Sequence, residues 1–188
     1  GQIVGGKRGM ATLQKLYSKK IIEWRKIAIR NSQLKNTKKI KTSFLDEKFA
    51  EFIGVYLGDG TMTKYFIKIS GDFRVDFPYF LYLKGLIKDV FDLNSSITKD
   101  KRYNTIFLTI FSKSPCDLFN KKFGLKSGNK IRNKSKIPGK ILENKELAIA
   151  CLRGLMDTDG SVSRRGRGGS QFCIQFTSHN KELLEQVN

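Results

Sequence analysis

Two Asp-Gly pairs, Asp59-Gly60 and Asp159-Gly160, each close an apolar run, FAEFIGVYLGDG and LAIACLRGLMDTDG, and the two pairs stand 100 residues apart. An aspartate at a helix C-terminus faces the negative end of the macrodipole, which costs about 0.3–1 kcal/mol at an exposed site. A turn with Gly60 and Gly160 in the left-handed conformation accounts for the glycines. It does not account for the acids, because asparagine would serve the same turn without the charge. If the two runs are helices lying side by side and parallel, two like charges meet beside two negative helix ends, and that arrangement needs a cation. Hard oxygen donors with no histidine close by in sequence suit Mg²⁺ (or Mn²⁺), with the backbone carbonyls of Gly58 and Thr158 as further ligands. A carboxylate pair of this kind is equipped for phosphodiester hydrolysis.

The elements that must bring these acids together are legible in the same runs. Ala50, Gly54 and Gly58 recur at intervals of four, as do Ala150, Gly154 and Thr158, so each helix carries a smooth stripe along which another backbone can approach. Their remaining positions are apolar nearly all round, which predicts helices buried on several sides. The chain around them is strongly basic: 36 Lys and Arg against 17 acids, a formal net charge of +19. Such an excess points to a polyanionic partner, nucleic acid first. Cys116, Cys151 and Cys173 lack CxxC spacing and His179 is the only histidine, which argues against a zinc site and against nucleases built on several histidines. No apolar run is long enough to span a bilayer and no signal-peptide pattern opens the chain, so the expectation is a soluble intracellular protein of the cytoplasm, nucleoid or an organelle matrix, with no membrane partner.

Three segments follow from texture. Residues 1–43 form a basic extension, partly helical, in which Leu13, Leu16, Tyr17, Ile21, Ile22, Trp24, Ile27 and Ile29 recur at roughly helical spacing. Residues 44–145 form a first unit. Asp46 and Glu47 cap its first helix, TMTKYFIKIS alternates as a strand, and a further strand is expected around Phe73 to Phe77. FPYFLYLKGLIKDVF is then a helix opened by Pro78, SSITKD and NTIFLTIFSK form a hairpin, and a helix runs from an N-cap at Ser114 to Gly124. Residues 146–188 start a second unit with a glycine-rich hairpin and a helix at NKELLEQV, and this unit is shorter than the first. The order predicts an α+β fold with antiparallel strands and helices on one face. A shortened second unit would leave an apolar face uncovered.

Phe52-Ile-Gly-Val-Tyr-Leu-Gly-Asp-Gly60 and Leu152-Arg-Gly-Leu-Met-Asp-Thr-Asp-Gly160 resemble the paired signature motifs of the LAGLIDADG homing endonucleases, the second matching the nonapeptide at six of nine positions. The resemblance covers about residues 44–188. It implies two pseudo-symmetric αββαββα units, the second apparently truncated, whose signature helices form the seam and whose antiparallel sheets bind the major groove of double-stranded DNA. It implies a site-specific, Mg²⁺-dependent endonuclease, monomeric when both units are complete. Asp59 and Asp159 would hold the metal, and Asp157, which is Leu57 in the first copy, has no matching partner. A basic residue near the scissile phosphate falls in FGLKSGNK, Lys126 first and Lys130 in reserve. Base and phosphate contacts are expected from Thr63, Lys64, Lys68 and Ser70 in the first hairpin and from Ser163, Arg164, Arg165, Arg167, Gln171 and Gln175 in the second. The alternative is a non-cleaving nucleic-acid binder on the same scaffold, such as an intron maturase or a transcriptional regulator. A restriction-type site at Glu143-Asn144-Lys145 is a weaker competitor.

Overall fold

A computed structural model of the chain describes residues 22–29, 40, 45–100, 102–165, 168 and 171–188. The chain divides into two compact units, Gly1–Lys38 and Lys39–Asn188. In the first, a helix spans 22–29, with Ile22, Trp24, Ile27 and Ile29 exposed. The other apolar positions named in the basic extension, Leu13, Leu16, Tyr17 and Ile21, lie outside the described residues.

The second unit opens with helix α1 (Glu47–Asp59), which starts where the Asp46 carboxylate accepts the Phe49 amide at 2.8 Å. Strands β1 (Gly60–Met62) and β2 (Phe66–Asp72) follow directly, then helix α2 (Phe73–Phe91), strands β3 (Ser96–Asp100) and β4 (Thr105–Phe111), and helix α3 (Lys113–Phe123). A single-turn helix α4 (Gly139–Leu142) leads into α5 (Lys145–Asp159), then β5 (Gly160–Arg165), β6 (Gln171–Phe176) and α6 (Lys181–Val187). The strands form an antiparallel four-stranded sheet in the order β1-β2-β4-β3 and a separate β5-β6 hairpin. The fold is α+β with antiparallel sheets.

Two local expectations are corrected. Phe73 to Phe77 is helix, not strand, and Pro78 lies inside α2 instead of opening it. The cause is a reciprocal cap: the Asp72 side chain accepts the Arg74 amide at 2.9 Å, and Asp76 Oδ2 accepts the Asp72 amide at 2.7 Å. Pro78 removes one early amide from a helix that these acids have already nucleated. The cap of α3 is Ser112, two residues ahead of Ser114, whereas Gly124 at φ +68 ends that helix in the left-handed conformation as expected. Asn144, in the triplet read as a possible nuclease motif, caps α5 by accepting the amides of Glu146 (2.9 Å) and Leu147 (3.1 Å).

The core of the first half is aromatic. Phe52 and Phe91 meet edge to face at 5.3 Å, Tyr56 and Phe119 at 5.1 Å, and the inward strand residues Ile67, Ile69, Ile106, Leu108 and Ile110 close it from the sheet side. Against this core lies the α1–α5 seam. A Cβ built on Gly54 would stand 2.0 Å from the Cys151 carbonyl oxygen, and one on Gly154 would stand 2.2 Å from that of Glu51. These are one contact made twice, with every residue shifted by 100, so the two helices run parallel about a pseudo-twofold axis. One step further, a Cβ on Gly58 would meet Thr158 Oγ1 at 1.9 Å.

The seam is symmetric in its glycines and asymmetric in its charges. Glu51, only 1% exposed, pairs with the Arg153 guanidinium, and the Tyr82 hydroxyl donates to its other oxygen at 2.7 Å. The positions 100 residues from these two are Cys151 and Ile53, both apolar and buried. The halves also differ in cover. Strand register makes Val162 and Ile174 the equivalents of Met62 and Ile67. Met62 and Ile67 are each 1% exposed, against 68% for Val162 and 71% for Ile174. Among the described residues nothing covers the apolar side chains Val162 and Ile174 of the second hairpin.

Two stability predictions follow from the seam. Gly154→Ala must separate the helix backbones and is expected to cost about 3 kcal/mol, far more than the roughly 1 kcal/mol of helix propensity it gains; unchanged urea denaturation would contradict the close approach. Arg153→Met strands the Glu51 carboxylate and is expected to cost about 3 kcal/mol, with most of the loss recovered in the double variant Glu51→Leu/Arg153→Met.

Candidate active site

The site is built at the point where the two glycine-lined helices end together. Asp59 is the last residue of α1 and Asp159 the last of α5. Each helix passes straight into a strand: Gly60 has φ −80°, ψ 146° and Gly160 has φ −87°, ψ 159°. These glycines are extended, which corrects the left-handed turn expected for them. Glycine is required here by space, because a Cβ on Gly60 would stand 2.4 Å from the Tyr56 carbonyl and one on Gly160 2.4 Å from that of Met156. The strands also hold the helix ends. Ser70 Oγ donates to the Asp59 carbonyl at 3.4 Å, and the Thr177 amide donates to the Asp159 carbonyl at 3.3 Å.

The paired carboxyls are electrostatically uncomfortable. Burial pushes Asp59 up to about 6, and the neighbouring Asp159 and then Asp76 act in the same sense, with Lys130 opposing. Asp159 is likewise raised by burial and lowered by Lys130. A protonated or cation-bound pair relieves this; two bare carboxylates do not.

Part of the compensation comes from a lysine 71 residues along the chain from Asp59. Lys130 Nζ donates to the carbonyl oxygens of Tyr56 (3.0 Å), Leu57 (2.8 Å) and Gly58. An ammonium has three protons, and all three go to the last turn of α1, where a helix leaves carbonyls without partners. The lysine thus caps the helix and sets a positive charge beside both acids. Its own pKa is lowered to about 8 by burial, with Asp159 and Asp59 pulling the other way. The turn that presents it is pinned by the Gly128 amide on the Met62 carbonyl (3.1 Å), which needs Gly128 at φ +100, and by the Ser135 amide on the Lys130 carbonyl (2.9 Å). Lys126, the first choice from sequence, is exposed before this turn, and its carbonyl accepts from Asn133. Only the long-range packing of the turn distinguishes the two lysines.

The motif acid without a partner goes elsewhere. Asp157 faces the Glu51–Arg153 pair and Tyr79; burial and Glu51 raise its pKa, while Arg153 and Tyr79 lower it. It belongs to the polar side of the seam and not to the Asp59–Asp159 pair. Thr158 packs on Gly58, and its hydroxyl donates back into its own helix, to the carbonyls of Gly154 or Leu155 (both 3.0 Å). The donor set available to a hard cation is therefore two carboxylates with helix-end carbonyls around them. Among the described residues no group of three or more His, Cys, Asp or Glu is assembled as a metal cluster. Two carboxylates suit Mg²⁺, which keeps most of its water, and the Gly58 carbonyl is shared with Lys130.

The sheet's outer face is a second surface of interest. Cross-strand register sets Thr61, Lys68, Thr109 and Ser96 in one row, and Ser70, Phe107 and Thr98 in the next. Lys68 Nζ lies 4.6 Å from the Phe107 ring centre. Thr63 stays in the β1–β2 turn, its hydroxyl accepting the Tyr65 amide at 3.2 Å, with exposed Lys64 beside it. In the second hairpin Ser163, Arg165, Gln171 and Gln175 share one face, and Arg165 Nη2 donates to Gln175 Oε1 at 3.3 Å. Arg164 departs from the expected set: the period of two turns it to the opposite, apolar face, where it lies 5.2 Å from the Phe172 ring centre. Arg167 lies outside the described residues. No described helix is long and apolar enough to cross a membrane.

Residues 146–188 match a family described as LAGLIDADG-like domain. Among characterised proteins, the DNA-directed RNA polymerase subunit Rpo1C of Methanocaldococcus jannaschii is 30% identical over 154 residues, covering 76% of this chain. The chain spans only 15% of the length of that subunit. Among solved structures, mesophilic variants of the homing endonuclease I-DmoI align with a TM-score of 0.49 at 20% identity, over 76% of this chain and 74% of that one. I-DmoI in complex with DNA and Mn aligns with a TM-score of 0.48 at 19% identity, over 77% and 75%.

The raised Asp59 carboxyl carries a pH signature. Its folded pKa of about 6 exceeds its ordinary 3.8, so the native state holds the extra proton and this group's contribution to stability falls as pH rises from about 4 to 6. In chelator, Asp59→Asn is therefore expected to gain thermal stability relative to the unsubstituted chain across that window. Added Mg²⁺ should raise the melting temperature of the unsubstituted chain more at pH 7.5 than at pH 5. A melting difference that narrows or reverses between pH 4 and 7 would contradict this account of the pair.

Proposed function

We propose, starting from the LAGLIDADG-like domain at residues 146–188, that this chain is a site-specific endonuclease that hydrolyses phosphodiester bonds in double-stranded DNA. The observation that supports it is the convergence of Asp59, Asp159 and Lys130, two acids whose pKa values are raised and a lysine held close enough to influence both. A protein that only binds DNA gains nothing from two carboxylates aimed at a polyanion. Asp59 and Asp159 would hold Mg²⁺ or Mn²⁺, the Gly58 carbonyl standing close by. A divalent ion so placed supplies an activated water and charge stabilisation at the leaving oxygen.

The chain's own groups do the rest. Lys130 lowers the charge of the acid pair and offers the nearest fixed cation to an incoming phosphate, a role this geometry favours for it over Lys126. The exposed and half-buried members of the sheet row, Thr61, Lys68 and Ser96, present hydrogen-bonding side chains with a period that suits a groove floor, and Lys64, Arg165, Gln171 and Gln175 extend that surface at the hairpins. The net charge of +19 supports attraction to the phosphate backbone and a steep dependence of binding on salt.

The test is cleavage of a randomised duplex library with Mg²⁺ and with chelator, followed by sequencing of the ends. Cutting is expected at defined sites and only with the metal. Asp59→Asn and Asp159→Asn should each abolish cutting and leave duplex binding intact, and Lys130→Met should slow it by about 10²-fold. Undiminished cleavage by either aspartate variant would overturn the assignment, and sequence-selective binding without cutting by the unsubstituted chain would favour the non-cleaving binder.

A further inference from the structure

The chain's single histidine stands next to the proposed site. His179, with Thr177, Asn180, Gly58, Lys130 and Asp159, lines a cleft of about 210 Å³ on the Asp159 side of the acid pair. The segment carrying it is pinned from both sides. The Thr177 amide donates to the Asp159 carbonyl (3.3 Å), and Asn180 Nδ2 donates to the Ser135 carbonyl in the turn that also presents Lys130. Asn180 is only 4% exposed, and its Oδ1 has no hydrogen-bond partner among the described residues, which leaves a buried acceptor at the cleft wall for a water or another donor. Between these anchors His179 remains exposed on the rim. A cleft lined by a carboxylate, an ammonium and an exposed imidazole suits a phosphodiester oxygen together with its ordered water. An imidazole offers at least one N–H donor in either protonation state.

The internal repeat shows that only one half has this group. Gly60 pairs with Ile69 and Gly160 with Phe176, so the third residue beyond each pairing is Asp72 in the first half and His179 in the second. Asp72 is already bound to the Arg74 guanidinium, which holds its carboxyl down to about 2. An acid committed to an arginine cannot donate to a phosphate. We propose that His179 is a phosphate-binding residue on the Asp159 side of the site, donating an N–H to an oxygen of the scissile group there, and that its absence on the Asp59 side makes the two DNA strands unequal substrates.

The inference rests on the nuclease reading above, and one assay separates the two. Single-turnover cleavage of a duplex selected by the unsubstituted chain, each strand carrying its own end label, is followed for the full chain and for His179→Ala and His179→Gln. His179→Ala is expected to slow one strand by about 10-fold or more and the other by less than about 2-fold, so that nicked duplex accumulates. Duplex affinity measured with Ca²⁺ should change by less than about 2-fold, and His179→Gln, which keeps an N–H donor, should recover much of the lost rate. Wild-type rates on both strands for His179→Ala, or equal slowing of both, would overturn the role of His179 and leave the nuclease standing. Failure of the unsubstituted chain to cut either strand would remove both.

Discussion

The approach of two helix backbones at Gly54 and Gly154 is the constraint on which the remainder of this structure depends. A glycine on each helix faces a carbonyl of the other at a distance that no side chain could enter. Because the contact is repeated with the same offset, it sets separation, direction and register of the pair together. Given that register, Asp59 and Asp159 can only finish side by side, and the strands that leave each helix can only diverge to either side of the axis. Position at the site is thus decided about one and a half turns away, by residues that have no chemistry of their own.

Bringing the acids together creates a problem that the local backbone makes worse, since both sit where helix carbonyls point. The molecule offsets it with Lys130, whose three donors are all spent on the last turn of α1. Among the described residues no lysine or arginine is seen to do the same for α5, so the two helix ends are compensated unequally. The raised pKa of Asp59 in spite of that lysine shows that one ammonium does not neutralise the group. What remains is a preformed demand for positive charge, held rigidly by helix packing and by the Ser70 and Thr177 links to the helix-end carbonyls.

Much of this was legible in the residues. The repeat, the glycine stripes, the Asp46 cap, the β3–β4 hairpin and the left-handed Gly124 are local or periodic, and local patterns report local structure. What escaped was decided at a distance. Phe73 to Phe77 alternates like a strand, yet Asp72 and Asp76 close a reciprocal cap around it. Gly60 and Gly160 look like turn glycines, but they are there because the chain runs extended past its own last turn with no room for a Cβ. Lys126 and Lys130 lie four residues apart in one polar loop, and only the pinning of that loop on Met62 separates an exposed side chain from a half-buried one. Arg164 and Arg165 are neighbours whose roles diverge through strand alternation, which a run of arginines and glycines conceals.

The buried Glu51–Arg153 pair has a further consequence. The seam is drawn to a twofold pattern but carries its charges on one diagonal, with Cys151 and Ile53 on the other. A helix like α1 paired with a second copy of itself would bring Glu51 opposite Ile53 twice, two carboxylates with no cation. A helix like α5 paired with itself would leave Arg153 facing Cys151 twice. Each half is therefore a poor partner for its own kind and a good partner for the other, a lock-and-key preference written into a single diagonal. A fold whose two signature helices meet about a pseudo-twofold axis is in this way kept from behaving as a symmetric one.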